Sequence, residues 1–152
     1  MNLDIGDIFP DFTLKDENNN DFTLSENLND QHFVVYFYPK DETPGCIKQA
    51  CHFRDSYEEF LKFNCKVIGV SGDSVESHLN FKNKNNLPFT LLSDNKNILR
   101  NKIGIPNDFL GLVPGRQTFL LKKTGEIIFT FHSSINMKRH IDEALSTLKK
   151  MS

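Results

Sequence analysis

The chain has 152 residues, 38% of them hydrophobic, with a net charge of −2, fourteen Phe, no Trp and three Cys. That length suits one domain, residues 1–152, with a core that needs no disulfide staples, and Phe is its main filler. The lysines are scattered among Asn and Asp without a basic block, which argues against nucleic-acid binding. No stretch of eighteen apolar residues offers a membrane span, and Met1-Asn2-Leu3-Asp4 begins no signal peptide. A soluble, intracellular protein is expected, in which three cysteines point to redox or catalytic use.

In chain order, Asp11–Leu14 and Asp21–Leu24 alternate polar and apolar residues around the turn-rich Asp16–Asn20, which predicts a hairpin. His32–Tyr38, HFVVYFY, is so continuously β-branched and aromatic that it suits a strand buried on both faces, and Pro39 stops it. A helix opens at Pro44, carries Phe53, Tyr57, Phe60 and Leu61 at helical spacing, and ends near Phe63-Asn64. A second buried strand follows at Lys66–Ser71. Ser74 caps a helix reaching about Lys84, and Leu87-Pro88 ends it before the short apolar piece Phe89–Leu92. Asp94 starts another helix. Thr118–Lys122 and Glu126–Phe131 are strands joined by the turn Lys123-Thr124-Gly125, and an amphipathic helix from about Asn136 closes the chain. The Asn-rich patches belong to turns and surface. This order describes an α/β thioredoxin-like fold, a mixed sheet flanked by helices with an N-terminal hairpin.

The chemistry concentrates at the start of the Pro44 helix. Thr43 suits the N-cap and Pro44 the first helical position, which puts Cys46 third, where unpaired N–H groups favour an anion. A free cysteine with a pKa of ~8.5 is only about 3% thiolate at pH 7, and a catalytic thiol needs a drop of roughly two pH units, about 2.7 kcal/mol. The helix end supplies ~1 kcal/mol or less, so a cation must come from elsewhere in the chain. The alternative is ordinary helix-start chemistry around an inert buried cysteine.

The segment YFYPKDETPGCIKQACHFRDSY resembles the active-site region of the peroxiredoxins, in the branch of the bacterioferritin comigratory protein and peroxiredoxin Q. The pattern of Pro, three residues, Thr, two residues, Cys falls on Pro39, Thr43 and Cys46. KVIGVSGDSVESHLNFKNKNNLPFTLLSD and LGLVPGRQTFLLKKTGEI extend the resemblance nearly end to end, and Gln49 with PGRQT is similar to plant and cyanobacterial peroxiredoxin Q. Ile47 departs from the usual threonine and is expected to alter packing only.

The resemblance implies a thiol peroxidase that reduces hydrogen peroxide and organic hydroperoxides with no metal, haem or flavin. Cys46 becomes a sulfenic acid, Cys51 resolves it as a disulfide, and thioredoxin or a similar dithiol recycles it. Arg116 is implied as the cation on thiolate and peroxide, Thr43 as a hydroxyl partner, Pro39 as a shield of the pocket and Gln49 as a support for the arginine. For these four the plain readings stand beside the functional ones: a surface arginine, a cap, a strand stop and a solvated glutamine. Five residues on one helix separate two Cα atoms by ~7.5 Å of rise and roughly 140°, beyond the ~7 Å reach of a disulfide, so the helix start must unwind in each turnover. Cys65 is expected to be inert. Cys46, Cys51, His52 and Cys65 make an awkward zinc set, with ligands at adjacent positions. A disulfide oxidoreductase is disfavoured by the absence of Cys-x-x-Cys, and a zinc-binding or holdase module is the non-enzymatic alternative. The expected state is a cytoplasmic monomer, with no long tail beyond Ser152 to exchange between subunits, or a plastid protein if a transit peptide has been removed.

Overall fold

The computed structural model describes residues 3–151, so what was expected of Met1, Asn2 and Ser152 lies outside the described residues. The N-terminal hairpin forms from β1 (Thr13–Asp16) and β2 (Asp21–Thr23) around a turn in which the Asp16 carboxylate accepts from the Asn18 and Asn20 amides. A short helix, α1 (Leu24–Leu28), follows; its five residues are too few for the helical period to show in the sequence. Then come β3 (His32–Phe37), α2 (Pro44–Lys62), β4 (Cys65–Ser71), α3 (Val75–Asn85) and β5 (Thr90–Ser93). Asp94 does not itself begin a helix. A 3-10 turn at Asn95–Asn97 intervenes, and the Asp94 carboxylate accepts from the Leu99 and Arg100 amides at the start of α4 (Ile98–Ile103). A two-stranded hairpin that sequence reading did not find, β6 (Asn107–Asp108) and β7 (Val113–Pro114), leads into β8 (Gln117–Leu121), β9 (Ile127–His132) and α5 (Met137–Met151).

The main sheet has the order β2-β1-β5-β4-β3-β8-β9. Its centre is parallel, β3 with β4 and β4 with β5, and its flanks are antiparallel. Alternation along β3 splits one apolar run between two cores. Val34, Tyr36 and Tyr38 join α2, α3 and α5 on one face, whereas Phe33, Val35 and Phe37 join Phe9, Phe12, α1 and α4 on the other. Each fully buried Phe contributes roughly 1.5–3 kcal/mol of burial, which makes this strand the rigid base of whatever follows it. The asparagines punctuate the chain as expected of turn residues. Asn19, Asn29, Asn64, Asn86 and Asn97 all hold positive φ, and Asn86 in the left-handed conformation ends α3 two residues before Pro88. The mixed α/β architecture is that of a thioredoxin fold. No described helix is long and apolar enough to cross a membrane.

Candidate active site

The loop 39–43 carries the chain from the end of β3 to the start of α2. Thr43 occupies the N-cap in extended geometry, but its hydroxyl does not cap the helix; it donates to the Lys40 carbonyl at 2.9 Å. Between them Glu42 takes a left-handed φ of 64°, turning the loop back on itself. The first helical bond runs from the Ile47 amide to the Thr43 carbonyl at 2.9 Å, so the amides of Gly45 and Cys46 have no acceptor inside the helix. An anion beside them is favoured, as the sequence position of Cys46 anticipated.

Cys46 is buried, and the guanidinium beside it is that of Arg116, itself only 6% exposed. Arg116 Nη1 donates to Cys46 Sγ at 3.1 Å and to Gln49 Oε1 at 3.0 Å. One nitrogen with two hydrogens is thereby shared between the thiol and a fully buried amide one helical turn further on, which sets the roll of the guanidinium. Neither plain reading holds: the arginine is not on the surface and Gln49 is not solvated. Gly45 makes the approach possible, because a Cβ there would lie 2.7 Å from Arg116 Nη2 and 3.2 Å from Met137 Cε. Among the described residues, the Gln49 Nε2 and the Tyr36 hydroxyl in this region find no hydrogen-bond partner. Burial first, then the nearby Cys46 and Asp41, hold the Tyr36 phenol well above its ordinary range, with Arg116 partly offsetting them.

The hairpin missed in sequence is what seats the arginine. Arg100, buried in α4, donates from Nη2 to the Gly115 carbonyl, and burial depresses its own pKa. Asp108 accepts from His132 Nε2 at 2.9 Å and from the Ser134 hydroxyl, while the Ser133 amide donates to the Arg116 carbonyl at 3.3 Å. Behind it, His140 is fully buried with Nδ1 2.8 Å from Thr118 Oγ1 and Nε2 2.7 Å from the Ser133 carbonyl; burial pushes its pKa down to about 4.

All three cysteines are free thiols. Cys51 is half-buried on the same unbroken α2 as Cys46, so the two thiols are on one helix and not in bonding geometry. Cys65 begins β4, buried, its thiol pushed up to about 12 chiefly by burial, and Pro39 is half-buried at the mouth of the loop. Cys46, Cys51, His52 and Cys65 do not gather into a metal-ligand group. Among the described residues Asp41, Asp73 and His78 do. Their atoms are already engaged: Asp41 by Tyr38, Ser77 and His78, and Asp73 by Ser71 and the Asp41 amide. Sequence reading gave Asp41 and His78 no role. Asp41 stands among charged loop residues and His78 lies 37 positions away, so no local pattern joins them.

The chain matches the AhpC/TSA family over residues 5–130. It is 49% identical over 142 residues to a chloroplastic peroxiredoxin Q of Sedum lineare, covering 93% of this chain and 76% of that one. It is 48% identical over 146 residues to the chloroplastic peroxiredoxin Q of Oryza sativa subsp. japonica, covering 96% and 67%. Among solved structures, the peroxidoxin BcpB of Mycobacterium tuberculosis superposes with a TM-score of 0.89 at 33% identity over 97% of both chains. A cysteine-to-serine variant of Xylella fastidiosa PrxQ does so with 0.89 at 31% identity over 99% and 98%.

Proposed function

The chain belongs to the AhpC/TSA family and is a peroxiredoxin, a thiol-dependent peroxidase, and from that premise we propose that Cys46 is its peroxide-reactive thiol and Cys51 its resolving thiol. The observation that carries the reading is Arg116 Nη1 bridging Cys46 Sγ and Gln49 Oε1 over an open helix N-terminus. A guanidinium 3.1 Å from the sulfur is a positive charge of the kind that stabilises a thiolate and the charge developing on a peroxide oxygen. The Cys46 thiolate attacks one oxygen of hydrogen peroxide or an organic hydroperoxide. The O–O bond breaks, the leaving oxygen takes a proton and departs as water or alcohol, and Cys46 holds a sulfenic acid. Thr43, whose hydroxyl hydrogen is committed to Lys40, offers its lone pairs to the peroxide O–H. Pro39 shields the pocket and Gln49 positions Arg116.

Cys51 then attacks the sulfenic sulfur, the S–S bond forms and water leaves; a thioredoxin-type dithiol reduces the disulfide and restores both thiols. Because both cysteines stand on intact α2, the first turns of the helix unwind for this step and rewind after reduction. The reading takes the protein as one domain acting as a monomer without nucleic acid or membrane. The chloroplastic names of the plant relatives support the plastid alternative to the cytoplasmic location expected above.

The test is peroxide-dependent NADPH oxidation with thioredoxin and thioredoxin reductase. Wild type turns over, Cys46→Ser does not, and Cys51→Ser reduces one equivalent of peroxide and stops as sulfenic acid. Hydrogen exchange completes it: amides from about Gly45 to Arg54 exchange faster only in the oxidised protein. Equal protection in both states, with a Cys46–Cys51 disulfide confirmed by mass spectrometry, would refute unwinding.

A further inference from the structure

The loop that delivers Cys46 is pinned at one residue to a part of the fold that does not include α2. The Asp41 carboxylate, 4% exposed, accepts from the Tyr38 hydroxyl at 2.6 Å on Oδ1, and on Oδ2 it meets the Ser77 hydroxyl at 2.9 Å and His78 Nδ1 at 2.7 Å. Its own amide donates to Asp73 Oδ2 at 2.8 Å, and Ser71 donates to that same oxygen at 2.6 Å. His78 is fully buried and its Nε2 lies 2.9 Å from the Leu92 carbonyl. A carbonyl only accepts, so Nε2 is the donor to Leu92, and Nδ1 meets the Asp41 carboxylate away from water. The residue after β3, the end of β4, the turn after it, α3 and β5 are therefore joined in one network around Asp41, five positions before Cys46.

We infer that Asp41 and His78 are positioning residues for the Cys46 reaction: their buried pair clamps the loop ahead of α2 to α3 and holds the helix start in its wound, peroxide-reactive form. This rests on Cys46 as the peroxide-reactive thiol and is independent of Cys51. Two anchors hold the helix start from opposite sides, Arg116 on the thiol and Asp41 on the loop. In each unwinding Cys46 leaves Arg116, whereas nothing in forming the disulfide requires Asp41 to move. The clamp is the fixed point from which the first turn rewinds. The other tie between this loop and α3, Lys84 Nζ to Glu42 Oε2 at 3.1 Å, is largely exposed and cannot substitute. Without the clamp, the unwound arrangement gains population at the expense of the one that meets peroxide.

The experiment uses the Cys51→Ser protein, in which the first step alone is read, and measures sulfenic acid formation by stopped flow and mass spectrometry. Adding Asp41→Ala is expected to slow it about 10- to 100-fold, the scale set by misplacing a reacting group by about an ångström. Asp41→Asn keeps Oδ1 as the acceptor for Tyr38 and puts N–H donors at the Oδ2 position toward His78 Nδ1 and Ser77 Oγ, and should recover much of the rate. The amides of residues 41–43, 45 and 46 should exchange faster in the reduced Asp41→Ala protein while those of β3 do not change. Ile127→Val, a truncation in the opposite core, lowers stability without slowing oxidation. If Asp41→Ala does not fold, Ser77→Ala, which removes one donor, gives the same slowing to a smaller degree. Equal rates with and without the clamp, or slowing by Ile127→Val to the same degree, overturn the inference. Absence of sulfenic acid in the Cys51→Ser parent overturns the Cys46 assignment and this inference together.

Discussion

Cys46 and Cys65 are buried almost identically, at 1% and 0% exposure, yet their surroundings differ in every respect that governs a thiol. Cys46 lies at a helix start with unpaired amides and a guanidinium nitrogen 3.1 Å from its sulfur. Cys65 lies at the start of a central strand, its sulfur 3.6 Å from the Lys66 carbonyl, an acceptor that favours the protonated form, and burial pushes its pKa to about 12. Burial alone makes a thiol inert. Burial with a guanidinium and open helix amides beside the sulfur is the setting that the proposed reaction of Cys46 needs and that Cys65 lacks. Cys51, half-buried on the same helix, is the intermediate case in exposure, as its proposed role as resolving thiol requires.

The comparison breaks most visibly at Cys46 itself. Cys46→Ser abolishes peroxide reduction, since a serine hydroxyl stays protonated and is a far poorer nucleophile, and a coupled NADPH assay reads the loss. Next is Arg116→Ala, which removes the feature that Cys65 lacks. The expected slowing of sulfenic acid formation is about 10²–10³-fold, the scale for losing one preorganised donor to developing charge. Stopped-flow measurement with hydrogen peroxide checks it, and a wild-type rate would mean that another cation serves. Gly45→Ala tests the geometry behind the charge: the new Cβ meets the guanidinium at 2.7 Å, and the flexible arginine gives way. Activity should fall roughly tenfold with little change in thermal stability, because the clash is relieved by moving a side chain.

Smaller effects follow at the edges of the site. The folded His140 pKa of about 4 lies below its ordinary 6.5, so the unfolded state binds the proton more readily. Stability from this group is complete above pH 6.5 and is lost as pH falls toward 4, by an amount on the order of 3 kcal/mol. Urea titrations between pH 7 and 4 should show that loss, and His140→Gln should flatten the slope. Smallest for catalysis is Cys65→Ser: near-normal turnover, with about 1–3 kcal/mol of stability lost to a buried hydroxyl. In native wild type, iodoacetamide should leave Cys65 unlabelled; activity falling to the Cys46→Ser level would reverse the roles of Cys65 and Cys51.

What could be read from the chain alone was local. The run HFVVYFY declared a doubly buried strand, Thr43-Pro44-Gly45 declared a helix start, and the spacing to Cys46 declared where an anion is favoured, since each depends on residues within a turn of one another. The resemblance also paired Arg116 with Cys46 and Gln49, and in the structure the three side chains meet. Sequence could not say that the Thr43 hydroxyl turns away to Lys40, because that depends on the left-handed Glu42. Nor could it join Asp41 to His78, or show that Arg100, Asp108 and a two-stranded hairpin seat the arginine. Those contacts link residues 15 to 37 positions apart with no period to mark them. The Asp41–His78 contact exists because the parallel strands bring the ends of β3, β4 and β5 to one edge, where buried polar groups must find one another or stay unpaired. Local propensity decided the elements and placed the thiol; the packing of distant loops decided which charges meet it.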